Sequence, residues 1–454
     1  MDTGKEMDTK IANELAKFVV ETKYPDIQKE IVDFSKQLLL KTVAGMVAGS
    51  VHPSSRKMAA MIKNRKLPEE VGVIGSSFKT SLWEGVYLNA FFAHASELED
   101  DSFGQGVSWD ITVIPLLLPL AQCLRLSGKA LTEALVVGLE IHSRTCLFPT
   151  EHLGLQLVPG AVGPAAAAAR ALGLGLEQTA SALGLAMSGV AVATPNFGTD
   201  AHFFESALQS LQGIMAAEMA KNGLTGNPSL VTYLTGLLGK ERVIPDKFIK
   251  NLGSQWAFQN IWIKKYPCCF LTHRAIDIVL GIRREKNLSY EDVEKIEVHI
   301  SPVEEITNRP KLDKLGDLQF SVQHLLGSAL LDGDVNFSHI NADILHDSRY
   351  KEAMAKVDVV SHPEWSTQYM GSPTLVTLKT KGGKEFTKQR EYPIGSTREP
   401  LTLKEVQNLY SKFTKNILSN EQIEKTSEVL LNLEKLNDVE EFMNLLTFKR
   451  RMWD

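Results

Sequence analysis

Five consecutive alanines, Ala165–Ala169, lie inside a stretch that also carries eight glycines between Gly154 and Gly198. Alanine favours helix, and glycine at a helix contact lets two backbones approach closely. The stretch therefore predicts buried helices packed tightly against one another. A phosphate-cradling loop is the sharper alternative, but its spacing fails. Gly173-Leu-Gly175 is followed by Gln178 where a G-x-G-x-x-G loop needs glycine, and no G-x-x-x-x-G-K-S/T run occurs.

The rest of the first 265 residues fits this reading. Ile11, Leu15, Phe18 and Val19 recur at helical spacing, as do Ile27, Ile31, Phe34, Leu38 and Leu39. Thr42–Ser50 is rich in small residues, and helical patterns continue over Tyr87–Leu98, Pro115–Leu126 and Leu131–Leu147. The texture changes after Tyr266-Pro267. A helix over His273–Arg284 precedes a clear alternating strand, Val293–Ile300. Leu375–Lys379 and Glu385–Arg390 flank Lys381-Gly382-Gly383-Lys384, a hairpin signal. Helical stretches are expected near Phe320–Leu331 and Asn341–Val357, and an amphipathic helical return over Leu403–Phe448. The fold class is mainly α with an α+β second domain: residues 1–267 helical, 268–393 α+β, and 394–454 returning to the first domain.

Charge and composition bound the function. A formal net charge of −5 over 454 residues gives no general attraction to nucleic acid or to an anionic membrane. The most apolar run, Val113–Leu126, is broken by Pro115 and Pro119, and a membrane span needs roughly 20 apolar residues. The N-terminal residues show no apolar signal segment. Cys268 and Cys269 are adjacent, which suits neither a zinc knuckle nor an easy disulfide. A reducing, cytoplasmic setting is expected.

Three clusters offer chemistry. In His94-Ala-Ser-Glu97-Leu-Glu99-Asp100-Asp101, four of the last five residues are acids. Crowded like charges raise one another's pKa, which suits proton transfer. If the preceding helix continues, His94, Glu97 and Asp101 share one face; a solvated helix end is the plainer reading. A divalent ion on those three is an alternative, but no second ligand cluster has convincing spacing, so no metal is expected. The second cluster, Asn196-Phe-Gly-Thr-Asp-Ala-His202-Phe-Phe-Glu205, reads as a loop before a helix over Leu208–Lys221, with His202 either a proton carrier or a packing residue. The third, Lys264-Lys-Tyr-Pro-Cys-Cys with Thr272-His273, places a lysine pair at the expected domain junction, where ligand sites are common.

Together these segments resemble the MmgE/PrpD family, which includes 2-methylcitrate dehydratase, cis-aconitate decarboxylase and iminodisuccinate epimerase. His94-Ala-Ser-Glu97-Leu-Glu99-Asp100 is similar to the family's A-H-x-x-D-F/Y-D-D segment. Gly160-Ala-Val-Gly-Pro-Ala-Ala-Ala-Ala-Ala resembles its G-x-x-G-x-A-A-A-A run. Asn196–Glu205 aligns on F-G-T-x-T-K-P-x-H, and Lys264-Lys-Tyr-Pro-Cys-Cys on K-x-Y-P-C-C. Ala329-Leu-Leu-Asp-Gly, Tyr392-Pro-Ile-Gly and Pro400-Leu-Thr are similar to C-terminal signatures.

The resemblance implies an all-helical body plus a smaller α+β lid domain, a homodimer with its site between domains, and no cofactor. It implies a lyase or isomerase that moves a proton beside a carboxylate of a small carboxylic acid, by dehydration, decarboxylation or epimerisation; a degraded member kept for binding is the rival. Glu97 stands at the family's site aspartate, Asp101 at a common threonine, His202 at a lysine, and Lys264 matches a lysine. These four are the expected catalytic residues. Ser108, His152, Thr199, Glu205 and His273 are the expected substrate-binding residues. Ser108 and Gly154 fall where histidines are expected, with His152 as a substitute for the second, and Glu205 replaces a histidine. The implied site thus loses cations and gains anions. A less anionic or amine-bearing acid is expected to suit it better than cis-aconitate or 2-methylcitrate.

Overall fold

The computed structural model describes residues 2–102, 107, 108, 110–148, 150, 153–156, 158–189 and 191–448. His152 lies outside the described residues. The chain divides into two compact units, residues 1–261 with 403–454, and residues 262–402. The fold is mainly α in the first unit and α+β in the second. Among the described residues, no helix is long and apolar enough to cross a membrane.

The first unit is built from helices that approach closely because their contact residues are small. The helix Lys29–Gly49 carries the Thr42–Ser50 run against the helix Leu82–Ala95. A methyl group at Gly49 would sit 1.8 Å from the carbonyl oxygen of Phe92. The alanine run behaves the same way. It forms the helix Val162–Ala171, with Ala165–Ala169 all buried. A methyl group at Gly163 would sit 2.2 Å from the His142 side chain of the neighbouring helix, Gly128–Thr145. The expected helices at 115–126 and 131–147 are present as Asp110–Cys123 and Gly128–Thr145. The C-terminal return also forms. Leu403–Thr414 buries Val406, Leu409, Tyr410 and Phe413 on one face and packs on Lys29–Gly49.

Two boundaries differ from the sequence reading, and both shape the site. The helix read through Leu98 stops at Ala95. His94, Glu97 and Asp101 therefore do not share a helical face. Ser96 donates to the carbonyl of Ala93 at 2.6 Å and accepts from the Leu98 N–H at 3.2 Å, and Glu97 adopts a left-handed φ of 52°. The helix expected from Leu208 starts instead at Asp200, which puts His202 and Glu205 inside its first two turns rather than on a loop.

In the second unit, four described strands form one sheet in the order Glu385–Arg390, Thr374–Thr380, Val293–Ile300, Val357–Ser361. The first three are antiparallel, with Val376 opposite Val298 and Leu378 opposite Ile296. Val357–Ser361 runs parallel to Val293–Ile300. The hairpin turn carries Gly383 at φ 75°, the left-handed geometry that such a turn favours. Val293, Ile296, Val298 and Ile300 alternate onto one face and meet Ile276, Val279 and Ile282 of the helix His273–Glu285. The helical stretch expected over Asn341–Val357 is two short pieces, Ala342–Leu345 and Ser348–Met354, ending in that strand. The helix expected near Phe320–Leu331 is present as Val322–Asp332, preceded by a short helix, Leu315–Phe320.

Gly49→Ala forces a methyl group onto a backbone oxygen that cannot rotate away. It is expected to lower unfolding free energy by at least about 1–3 kcal/mol, read by urea denaturation. Unchanged stability would show that the two helices can separate without cost.

Candidate active site

The site is centred on the end of the helix Leu82–Ala95. That helix is buried nearly all round, so the polar groups at its C-terminal end are delivered into the interior. His94, in its last turn, is 2% exposed; Glu97, just past it, is 1% exposed. His202, from the first turn of Asp200–Lys221, is 6% exposed. Nε2 of His202 lies 3.7 Å from Oε1 of Glu97, and the rings of His94 and His202 are 4.0 Å apart. Phe197 and Phe203 lie against these histidines, with Phe197 at 4.6 Å from the His202 ring and Phe203 at 5.9 Å from the His94 ring.

Nδ1 of His94 is 2.7 Å from Oγ of Ser206, which also lies 3.1 Å from the carbonyl of Phe203. The contact forms in either tautomer: Nδ1–H donates to the hydroxyl in one, and the hydroxyl donates to Nδ1 in the other.

The strained turn at Glu97 is held by a buried charge cluster. Lys41, on Lys29–Gly49, is completely buried. Its ammonium donates to the carbonyl of Leu98 at 2.7 Å and to Oδ1 of Asp100 at 3.2 Å. Asp110 accepts the Asp100 N–H at 3.0 Å and the Thr42 hydroxyl at 2.7 Å. Burial, and then the charge of Asp100, push the Asp110 carboxyl well above the usual range, against the hydrogen bond from Thr42 and the charge of Lys41. Sequence reasoning missed Lys41 and Asp110, because a lysine in a helical pattern reads as a solvated face.

The remaining expected residues are placed as follows. Asp101 leaves the helix for a short strand, in register with Ser108. Thr199 precedes the helix Asp200–Lys221, its hydroxyl donating to the carbonyl of Asn196 at 2.7 Å. Glu205 accepts from the Ala193 N–H at 3.1 Å and from the Asn196 amide at 2.6 Å, which fixes the segment leading to His202. Its carboxyl is raised by burial. Lys264 and His273 belong to the second unit. Lys264 is 1% exposed, beside the bond from the Ile263 N–H to the Gly395 carbonyl. His273 is fully buried, stacked on Phe270 at 4.6 Å. Its neighbour Arg274, also buried, donates to Glu304 at 2.8 Å.

The MmgE/PrpD N-terminal domain matches residues 13–239, and the MmgE/PrpD C-terminal domain matches residues 266–435. The chain belongs to the MmgE/PrpD family. It is 24% identical over 379 residues to cis-aconitate decarboxylase of Mus musculus, covering 79% of this chain and 77% of that one. It is 25% identical over 377 residues to the Homo sapiens enzyme of that name, covering 79% and 78%. It is 22% identical over 460 residues to cis-aconitate decarboxylase of Aspergillus terreus, covering 93% and 92%. These relatives place the MmgE/PrpD chain with lyase-type proteins of the dehydratase and decarboxylase kind.

Two predictions follow from the charge cluster. Lys41→Met leaves Asp100 and Asp110 buried together without their cation, and is expected to cost about 3–5 kcal/mol in urea denaturation at neutral pH. For Asp110, the folded protein holds its proton to higher pH than the unfolded chain does. Its ionisation therefore removes stability as pH rises from the unfolded carboxyl range through the raised folded value. Asp110→Asn cannot ionise and keeps one oxygen, which can accept one of the two bonds from the Asp100 N–H and the Thr42 hydroxyl. Its stability relative to the parent protein is expected to increase across that window in pH-dependent denaturation; a constant difference would contradict the assignment.

Proposed function

We infer that this MmgE/PrpD protein is a lyase or isomerase in which Glu97 and His202 form the acid–base pair acting on the carbon beside a carboxylate of a small organic acid. The observation that carries this reading is the buried carboxylate and imidazole held 3.7 Å apart, next to a second histidine. A carboxylate can take a proton from the reacting carbon, and an imidazolium can give one to a leaving hydroxyl or to the carbon that loses CO₂. Aromatic walls strengthen both roles by lowering the local dielectric. Asp101 is the group that would tune or orient the pair.

The substrate is an acid with fewer negative charges than cis-aconitate, or one carrying an amine. Glu97, Glu99 and Asp100 are all buried close together in sequence, while Lys41 is committed to Asp100 and the Leu98 carbonyl. A histidine at 202 supplies less fixed positive charge than the family lysine that the resemblance places there.

The test is ¹H NMR of chelator-treated protein in D₂O with mono-, di- and tricarboxylic acids, some bearing amines. Deuterium entry or product formation is expected to be fastest with a less anionic or amine-bearing acid. Glu97→Gln is expected to lower that rate by about 10²–10⁴-fold. Rapid turnover of cis-aconitate would overturn the substrate assignment, and an undiminished rate in Glu97→Gln would overturn the acid–base pair. Exchange without net product would favour epimerisation over elimination.

A further inference from the structure

We propose that His94, Glu97 and His202 bind one divalent transition-metal ion of the zinc class, and that this ion silences the acid–base pair. The three side chains offer ligand atoms that all lie within 4.8 Å of one another, and all three are buried. Zinc-class ions bind imidazole nitrogen and carboxylate oxygen at about 2.0–2.2 Å, so neighbouring ligand atoms stand roughly 3–4 Å apart. The Glu97–His202 pair already has that spacing, at 3.7 Å. Two imidazoles and one carboxylate favour such an ion over calcium or magnesium, which take oxygen ligands.

The surroundings are those of a prepared site. Ser206 Oγ lies 2.7 Å from Nδ1 of His94; with the proton on Nδ1, this is the kind of outer contact that orients a ligating imidazole and leaves its other nitrogen for a metal. Glu97 is fixed by the Ser96 bonds before it and by Lys41 on the carbonyl after it. His202 is set by Phe197 and by the helix that begins at Asp200. Three protein ligands leave a fourth position for water or a carboxylate oxygen. A dication also offsets the buried charge of Glu97.

The site is a property of this chain through residue 202. A protonated lysine there cannot ligate a metal, whereas histidine can. The ion and the proton compete for the same lone pairs on Glu97 and His202. The metal-loaded protein is therefore the inactive form, and the metal-free protein the one that transfers protons.

The experiment uses the full chain, stripped with chelator and dialysed. Zn²⁺ is titrated by calorimetry, and Co²⁺ by visible absorption. One ion per chain is expected, with a cobalt spectrum of low-symmetry, mixed nitrogen and oxygen coordination. His202→Lys and His94→Gln should each weaken binding on the order of 100-fold, and Ser206→Ala by about 10–100-fold. Cys123→Ser, which removes the exposed thiol, should leave it unchanged. Thermal melts verify that each variant is folded. No saturable binding of either ion, or equal binding in folded His202→Lys and His94→Gln, would overturn the proposal. Deuterium exchange on the same samples separates it from the acid–base reading. Exchange in stripped protein that one equivalent of Zn²⁺ abolishes supports both. Exchange without metal binding overturns this proposal alone. Metal binding by a stripped protein that catalyses no exchange with any acid in the panel overturns the acid–base reading, and the silencing role with it, and leaves the metal site standing.

Discussion

The ammonium of Lys41 is the point on which the site rests. It is completely buried, and it ties together the carbonyl of Leu98 and the carboxylate of Asp100. Without a cation there, two buried carboxylates would face each other across one backbone N–H. With it, the segment after the helix Leu82–Ala95 is clamped on both sides of Glu97, and the left-handed φ of that residue is maintained. A non-glycine residue in that conformation costs on the order of 1–3 kcal/mol and persists where its surroundings over-determine it. Here the surroundings are the Ser96 bonds before Glu97 and the Lys41 bonds after it. The result is a carboxylate directed at His202 rather than along a helix face.

Close helix packing is what allows this clamp to exist. Lys41 reaches the turn because Gly45 and Gly49, on the same helix, let its backbone lie against the helix that carries His94. A methyl group at Gly45 would sit 2.9 Å from the Ser96 hydroxyl, the group that caps the turn. The small residues of the body thus set the distances on which the charge cluster depends. The opposing helix, from Asp200, delivers His202 and Ser206 one turn apart, so a single helix supplies both the partner of Glu97 and the hydroxyl that orients His94.

The readable parts of the fold were those with a local signal. Val293–Ile300 alternates because one face meets a helix, and the Gly-Gly hairpin declares its own turn. Val357–Ser361 escaped because it pairs in parallel with a strand distant in sequence and lacks clean alternation; only its first residue fell within the helical reading over Asn341–Val357. At the site, Glu97 and His202 were visible as unusual residues, but their meeting was not, since it depends on two helices from different parts of the chain. The helix stop after Ala95 was hidden because the His-Ala-Ser-Glu pattern continues a helical period; Ser96 and the buried Lys41 end it. Arg274 and Glu304 escaped for the same reason as Lys41: a buried ion pair leaves no periodic trace in either partner.

If Glu97 and His202 act as one acid–base pair, the reacting carbon lies beside both of them, because their 3.7 Å separation leaves no room for an atom between them. The most direct measurement is a crystal structure of metal-free Glu97→Gln soaked with the acid that the intact protein turns over fastest. The carbon beside the substrate carboxylate is expected about 3–3.5 Å from both the residue 97 side chain and the His202 ring. An acid bound with that carbon out of reach of either side chain would contradict it.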